Sequence, residues 1–485
     1  MLTFQDFESA SDKLKFICEA IQEHDKSSLC KTARDADLYD RQCNKTIHEY
    51  VRTIFELTGT PVEDFTASNN KIASNFFFHR LNTQRCAYSL GNGVSFTRTE
   101  KRRNEDGVSV TVDLTKEMLG PKFDTDLKKA GYKALIHGVA FCFWNVNRMH
   151  VFPVTQFVPL WDEFDGSLRA GIRYWRLDKD KPMVVVLYEE DGYTKYKSKD
   201  DSEFSLELYE GKKNYVTKFR RTKADGAEDI SEENYGSLPI VPLWGSDLHQ
   251  STLVGMQEAI DSYDLIRSGF ANDLTDCAQI YWIVKNCGGM TDTALAQFRD
   301  RLKINHIAVT DGDVDGSGDV VPFTQDIPYQ ARQAYLDNIR AGIYEDFGAL
   351  DVHTVAAGAT NDHIDAAYQP MDENADDFEY QIIECVQQIL ALVGIEDTPI
   401  FKRNRISNQK EQTEMVMSSS DYLDEETVLQ KLPFITPDEV QKILLRRDSE
   451  DKDRMTGGVG DEEEDLTGAL LEALGAAGAE DGREG

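Results

Sequence analysis

The sequence predicts an α+β subunit with a β-rich half followed by a helix-dominated half. Three observations carry that prediction. Between Val108 and Leu243, runs of β-branched and aromatic residues are punctuated by Asp165-Gly166, Asp191-Gly192 and Asp225-Gly226. From Ser251 to Gln279, the residues Leu253, Met256, Ile260, Tyr263, Ile266, Phe270, Leu274 and Cys277 recur three or four apart, which paints one apolar stripe on a long helix. From Pro328 a second stripe, Leu336, Ile339, Ile343 and Phe347, runs to Gly348.

Taken in order, residues 1–58 read as short polar amphipathic helices, broken by Thr58-Gly-Thr-Pro61. Asn69–Leu90 reads as a helix with Ile72, Phe76, Phe77, Leu81, Ala87 and Tyr88 on its apolar face and Gly91 at its end. The basic run Arg98–Arg103, followed by Asn104-Glu-Asp-Gly107, reads as a solvated hairpin tip. A helix at about Thr125–His137 precedes strands at Phe141–Val146, Met149–Pro153, Ala170–Arg176, Met183–Glu189, Lys195–Tyr196, Phe204–Leu208 and Asn214–Arg220.

Asp247 and Ser251 are candidate caps for the first long helix, and no proline interrupts the span between Pro242 and Pro322. Between the two long helices we expect a strand (Ile280–Lys285), a short helix (about Asp292–Lys303), a strand (Ile304–Thr310), the turn Asp311–Asp319 and a strand (Val320–Thr324). Residues 348–370 read as an irregular loop of small residues. A helix follows at about Glu373–Leu392, with Phe378, Ile382, Ile383, Val386 and Leu390 as its stripe. Further helices are expected at about Asn408–Leu423 and from Thr436-Pro437, and a disordered acidic tail from Asp448.

The chain of 485 residues, 40% hydrophobic and 10% aromatic, is long enough for several folded units. Its net charge is −33, and the tail from Asp448 holds 13 acidic against 3 basic residues, so the body is acidic too. Such a chain does not condense on nucleic acid or anionic membrane, because affinity for phosphate comes from Lys and Arg. It can still surround DNA without gripping it. Cysteines stand at 18, 30, 43, 86, 142, 277, 287 and 385 with no C-x-x-C pair, and no basic region followed by an apolar core opens the chain. Free buried thiols in a reducing compartment, with no signal peptide, are expected. Ala134–Trp144, the longest apolar stretch, is too short to span a bilayer.

No catalytic constellation is assembled. The sequence has no G-x-x-x-x-G-K-[ST], no G-x-S-x-G and no H-E-x-x-H. Its nine histidines are scattered, and His79, His137 and His306 read as structural. Asp311-Gly-Asp-Val-Asp-Gly-Ser-Gly-Asp319 begins like a calcium loop, but Pro322 stands where the bidentate Glu belongs. The expectation is therefore a non-enzyme with no metal and no cofactor.

Four segments stand out in order: Ser68–Phe96, with its Asn-Asn-Lys-Ile run and Tyr-x-Leu-Gly end; Gly131–Leu177, with the turn at Pro153–Asp162 and an Ile-Arg-Tyr-Trp strand; Leu238–Asp276, with a D-x-Y-D…S-x-x-x-N-D pattern; and the Ile327-Pro328 helix with the Ala366–Glu379 start of the next one. Taken together they resemble the Gp6-like portal proteins of tailed bacteriophages. The ordered set spans about residues 40–450.

The resemblance implies a portal-type ring subunit with named parts. These are a wing (1–245), stem helix one (246–279), a small α/β clip (280–326), stem helix two (327–347), a tunnel-loop region (348–370), a helical crown (371–447) and the acidic tail (448–485). It implies a ring of about twelve subunits at one capsid vertex. Double-stranded DNA is packaged and ejected through that ring. It further implies docking to the large terminase and then to head-completion (adaptor) proteins, contact with major capsid and scaffolding proteins, no membrane, and residence in the virion after assembly in the host cytoplasm. Candidate channel cations are Arg267, Lys285, Arg299, Arg301, Arg332 and Arg340, and candidate tunnel-loop residues are Leu350, Val352, His353, Thr354 and Val355. The alternative is an acidic α+β oligomeric interaction protein with no part in DNA translocation.

Overall fold

The computed structural model describes residues 2–447 except 52, 56–60, 64–69, 74–75, 104–108, 179, 200–204, 223–227, 278–280, 286–290, 292, 294–296, 298–318, 324–328, 352–360, 404, 406–408, 433–434, 436–439, 441–442 and 445. One compact unit comprises Met1–Glu100, Asp113–Asp351 and Tyr368–Asn404.

Its N-terminal part has four helices: α1 (Phe4–Ser9), α2 (Lys13–Lys26), α3 (Ser28–Asp40) and α4 (Lys45–Glu49). Each of the first three starts at a side-chain cap: Thr3, Asp12 and Ser27 accept from backbone N–H groups that the helix leaves unpaired. Instead of continuing as helix, the chain pairs β1 (Thr53–Phe55) with β2 (Pro61–Glu63). Helix α5 (Phe77–Leu90) starts eight residues later than its apolar pattern suggests. The backbone at Asn70 and Ile72 is already bonded elsewhere, and Phe76 turns into α5 at φ +53°.

After β3 (Val94–Phe96), β4 (Thr99–Arg103), β5 (Ser109–Asp113), α6 (Leu114–Leu119) and α7 (Phe123–His137), the predicted β-rich stretch forms two antiparallel sheets. One holds β6 (Val139–Asn145) between β7 (Arg148–Pro153) and β15 (Ile240–Trp244). The other contains β8 (Phe157–Trp161), β9 (Leu168–Trp175), β10 (Val184–Glu189), β11 (Gly192–Ser198) and β12 (Leu206–Lys213), each beside the next. Hairpin strands β13 (Val216–Thr222) and β14 (Glu228–Glu233) pair separately. Residues of both sheets meet in an aromatic core with Phe141, Phe152, Phe157 and Tyr188 at its centre. The other face of the five-stranded sheet is covered by Phe16, Ile17, Ala20 and Ile21 of α2.

The two long helices are α8 (Gln257–Cys277) and α9 (Tyr329–Phe347). α8 begins six residues after Ser251. That serine donates to the Ile136 carbonyl at 2.6 Å and accepts from Leu253 N, so it folds a turn and does not cap the helix. α9 ends as expected: Gly348 sits at φ +62°, and Ala349 N reaches back to the Tyr344 carbonyl. Of the expected insert, the outer strands are present. They are β16 (Tyr281–Lys285) and β17 (Asp319–Phe323), paired antiparallel. Of the expected helix within it only Thr293 and Gln297 are described, both helical, and the Ile304–Thr310 strand, most of the Asp311–Asp319 turn and the tail from Asp448 lie outside the described residues.

Two expectations need correction. The stretch read as an irregular loop to residue 370 is helical from Asn361, because α10 (Asn361–Val393) runs through Pro370. Its apolar positions keep helical spacing across the proline, with Tyr368, Met371, Ala375, Phe378 and Ile382 all buried. The second correction concerns the crown. Phe378, Ile382, Val386, Ile389 and Leu390 of α10 share one core with Leu90, Phe96, Leu127, Ala134, Trp144 and Leu243 of the preceding elements. Residues 368–393 therefore belong to the hydrophobic core of the first unit. β18 (Pro399–Phe401) then pairs with β3, which closes the unit. A second unit takes in Arg405–Gly485 and contains α11 (Gln409–Ser418) and α12 (Glu425–Lys431).

Candidate functional site

The α8/α9 pair was the feature singled out by its apolar stripes, and its first half is fully packed. Leu253, Met256, Ile260 and Tyr263 are buried against Phe77, Phe78, Leu336, Ile343, Tyr344 and Phe347. Phe77 is the hub, meeting Tyr263 edge-on at 5.1 Å and Tyr344 at 6.3 Å between ring centroids. This half needs no neighbouring subunit. The C-terminal half differs. Leu274 is 54% exposed, and Tyr329 and Tyr335 on α9 are 57% and 48% exposed.

A second face of α8 is polar and also buried. Asp261, Asp264, Ser268 and Asn272 follow at helical spacing, and each is tied to the N-terminal part of the unit. Asp261 accepts from Tyr39 Oη at 2.5 Å and from Thr46 Oγ1 at 2.6 Å. Asp264, with no exposed surface, accepts from Asn44 Nδ2 at 2.6 Å. Ser268 Oγ accepts from Ile72 N at 2.9 Å, and Asn272 Oδ1 accepts from Asn70 N at 2.5 Å. Burial and the bond to Asp261 raise the Tyr39 phenol above its usual range. The Asn-Asn-Lys-Ile run and the D-x-Y-D…S-x-x-x-N-D pattern are thus the two sides of one clasp. Sequence reasoning found both motifs and missed that they bind each other. The available signal was the polar i, i+4 series running beside the apolar stripe.

The candidate cations are distributed as follows. Arg332 is ion-paired with Asp273 and lies over the Phe270 ring. Arg340 holds both carboxylate oxygens of Asp351 at 2.9 Å from one nitrogen. Arg267 is half-buried on α8. Lys285 ends β16, and Arg299 and Arg301 lie outside the described residues. Of the tunnel-loop candidates, Leu350 is 4% exposed and its carbonyl accepts from Gln84 Nε2 at 3.1 Å. Val352, His353, Thr354 and Val355 lie outside the described residues.

No group of three or more metal-ligating side chains occurs among the described residues. A cleft of about 880 Å³ borders Asp397. Burial pushes this carboxyl up, but donors from Thr115, Thr97 and Thr398 prevail and hold it at about 2. It fastens the β3/β18 junction, since both Thr97 and Thr398 flank those strands. Among the described residues, no helix is long and apolar enough to cross a membrane.

Two buried histidines give the unit a pH response. His137 is fully buried, with Nε2 3.0 Å from Asp37, and His24 Nε2 is 2.7 Å from the Val154 carbonyl. Burial lowers both imidazoles below their ordinary value, against the opposing bonds. The folded chain then binds fewer protons than the unfolded one in the window below the free imidazole value. Stability is complete above about pH 6.5 and is lost as pH falls toward the lowered folded values. The thermal midpoint should hold level above about pH 7 and decline below about 6.5. His137→Gln should flatten that decline; an unchanged profile would rule out His137 as a source.

Residues 19–453 match the family described as phage portal protein, SPP1 Gp6-like. The portal protein of Bacillus phage SPP1 is 23% identical over 487 residues, covering 94% of this chain and 90% of that relative. The portal protein of Clostridium phage phiCD119 is 28% identical over 225 residues, 44% of this chain and 49% of that one. Among solved structures, the neck of an empty GTA particle computed with C6 symmetry aligns over 72% of this chain and 88% of that chain, with TM-score 0.39 and 11% identity. The neck of the native particle, computed with C12 symmetry, aligns over 74% and 90% with TM-score 0.38 and 11% identity.

Proposed function

The chain belongs to the SPP1 Gp6-like family of phage portal proteins, and from that premise we propose that it assembles a closed ring at one capsid vertex through which double-stranded DNA is packaged and later ejected. The observation that carries this reading is the helix pair α8/α9. Its first half is closed within the subunit, while its second half keeps large apolar side chains, Leu274, Tyr329 and Tyr335, in solvent. Apolar residues clustered at one end of a rigid hairpin suit a contact with the next copy, and head-to-tail contacts of this kind close into rings.

On this reading the helix pair is the stem, residues 280–326 the clip that meets the large terminase and then head-completion proteins, and residues 348–360 the tunnel-loop region. The capsid and scaffolding proteins contact the remainder. An acidic body favours sliding, since few phosphate contacts mean little friction. Arg332 and Arg340 already face carboxylates of their own chain, which weakens any pull on phosphate. All six cations, Arg267, Lys285, Arg299, Arg301, Arg332 and Arg340, stay candidates for weak, exchangeable contacts.

The testing experiment is the native mass of the purified protein with negative-stain images of the same sample. We expect an annular particle of about twelve copies of the 54.9 kDa chain. A monomer that persists at high protein concentration and across salt conditions, and also in the presence of scaffolding and capsid proteins, would overturn the ring.

A further inference from the structure

We propose that one face of α5, made by Gln84, Arg85 and Tyr88, is a clamp that positions both ends of the segment running from Asp351 to Tyr368. The three residues lie within about 100° of each other around the helix, so they present a single surface. On the outgoing side, Gln84 Nε2 donates to the Leu350 carbonyl at 3.1 Å, and the Arg85 guanidinium lies 6.0 Å from the centre of the Phe347 ring. Arg340 adds its two bonds to Asp351, the first residue of the segment. On the returning side, the Tyr88 ring stacks on Tyr368 at 5.7 Å and 19°. Its hydroxyl donates to Asp372 at 2.6 Å, and Arg85 Nη2 donates to the Asn374 carbonyl at 3.0 Å.

Arg85 therefore touches both ends at once. It is 9% exposed and, among the described residues, its Nε has no hydrogen-bond partner. Burying a guanidinium with so few acceptors is costly, and a packing role alone would be met more cheaply by Met or Leu. What the cation supplies is reach: a carbonyl of α10 on one side and the ring that ends α9 on the other. The two ends also lock directly. Gly348 approaches Asn374 so closely that a Cβ there would lie 2.1 Å from Nδ2, and that nitrogen bonds the Pro370 carbonyl at 3.1 Å. The spacing of the ends is thus set by α5, an element of the wing. For the portal reading, on which only this consequence rests, α5 would pass wing displacements to the two ends of that segment.

The test uses hydrogen exchange on the full-length protein. Gln84→Met with Tyr88→Phe removes two bonds while keeping volume and the ring stack. Amides at 345–351 and 368–375 should exchange about tenfold faster, as expected for roughly 1.4 kcal/mol lost from local opening. Amides of α7 should not change. Arg85→Met should act alike, and Arg85→Lys should restore part of the protection, which a purely steric role would not. Unchanged exchange at those amides, or an equal rise in α7, overturns the clamp and leaves the ring untouched. Faster exchange with intact rings but unaltered DNA retention upholds the clamp and removes the channel role from the segment.

Discussion

Phe378→Ala is expected to lower the global stability of the folded unit by about 3–5 kcal/mol, the usual cost of emptying a fully buried phenylalanine site. Phe378 has no exposed surface and shares its core with Leu90, Leu127, Ala134 and Trp144. The neighbouring backbone cannot close the void easily. Gly131 on α7 already lies so near that an added Cβ would sit 3.0 Å from Cζ of Phe378, so the helices meet at closest approach. The check is a urea unfolding curve followed by tryptophan fluorescence and by helical circular dichroism. Trp144 is 1% exposed in this same core. Both signals should therefore move together to lower urea. If α10 were an independent crown, only the helical signal would shift and the Trp144 environment would stay as in the parent chain. That second pattern would refute a shared core.

The same helix marks the limit of what the sequence made legible. Its apolar stripe was visible, and so was its length beyond residue 371. What it packs against was not, because a stripe states that a face is buried and says nothing of the partner. Pro370 and the small residues before it pointed to a loop, and burial of Tyr368 and Met371 outweighed that local preference. Of the antiparallel strands from β6 to β13, all but β8 were read within about five residues, because alternation and Asp-Gly turns are local signals, whereas β8 lies in the stretch read as the turn Pro153–Asp162. The short β1/β2 pair escaped, since three-residue strands are too brief for a period to register. At the site, the apolar stripe of α8 was legible. Its polar face was not, because Asn44 and Asp264 are 220 positions apart and no local pattern links them.

That polar face carries the last prediction. Asp264→Ala should destabilise the unit by about 2–4 kcal/mol, because it removes a charge-assisted bond to the Asn44 amide, which is itself 2% exposed. Asp264→Asn should cost less than half as much, since an amide oxygen can still accept from Asn44 Nδ2. The ratio of the two, read from urea midpoints at constant slope, separates loss of an acceptor from loss of charge. Equal costs would assign the effect to charge, and a cost for Asp264→Ala no larger than for Asp337→Ala on the exposed side of α9 would remove the clasp from the account. The clasp matters for function because α8 has three faces. One is apolar and held by Phe77 and α9, and one is polar and held by Asn44, Ile72 and Asn70. At about 100° per residue, the third carries Glu258, Ser262 and Gly269, with Asp273 at its edge taken up by Arg332 of α9. With two faces fastened, the helix cannot roll, so the direction of the third face is fixed by the N-terminal part of the unit. It presents acidic and small side chains.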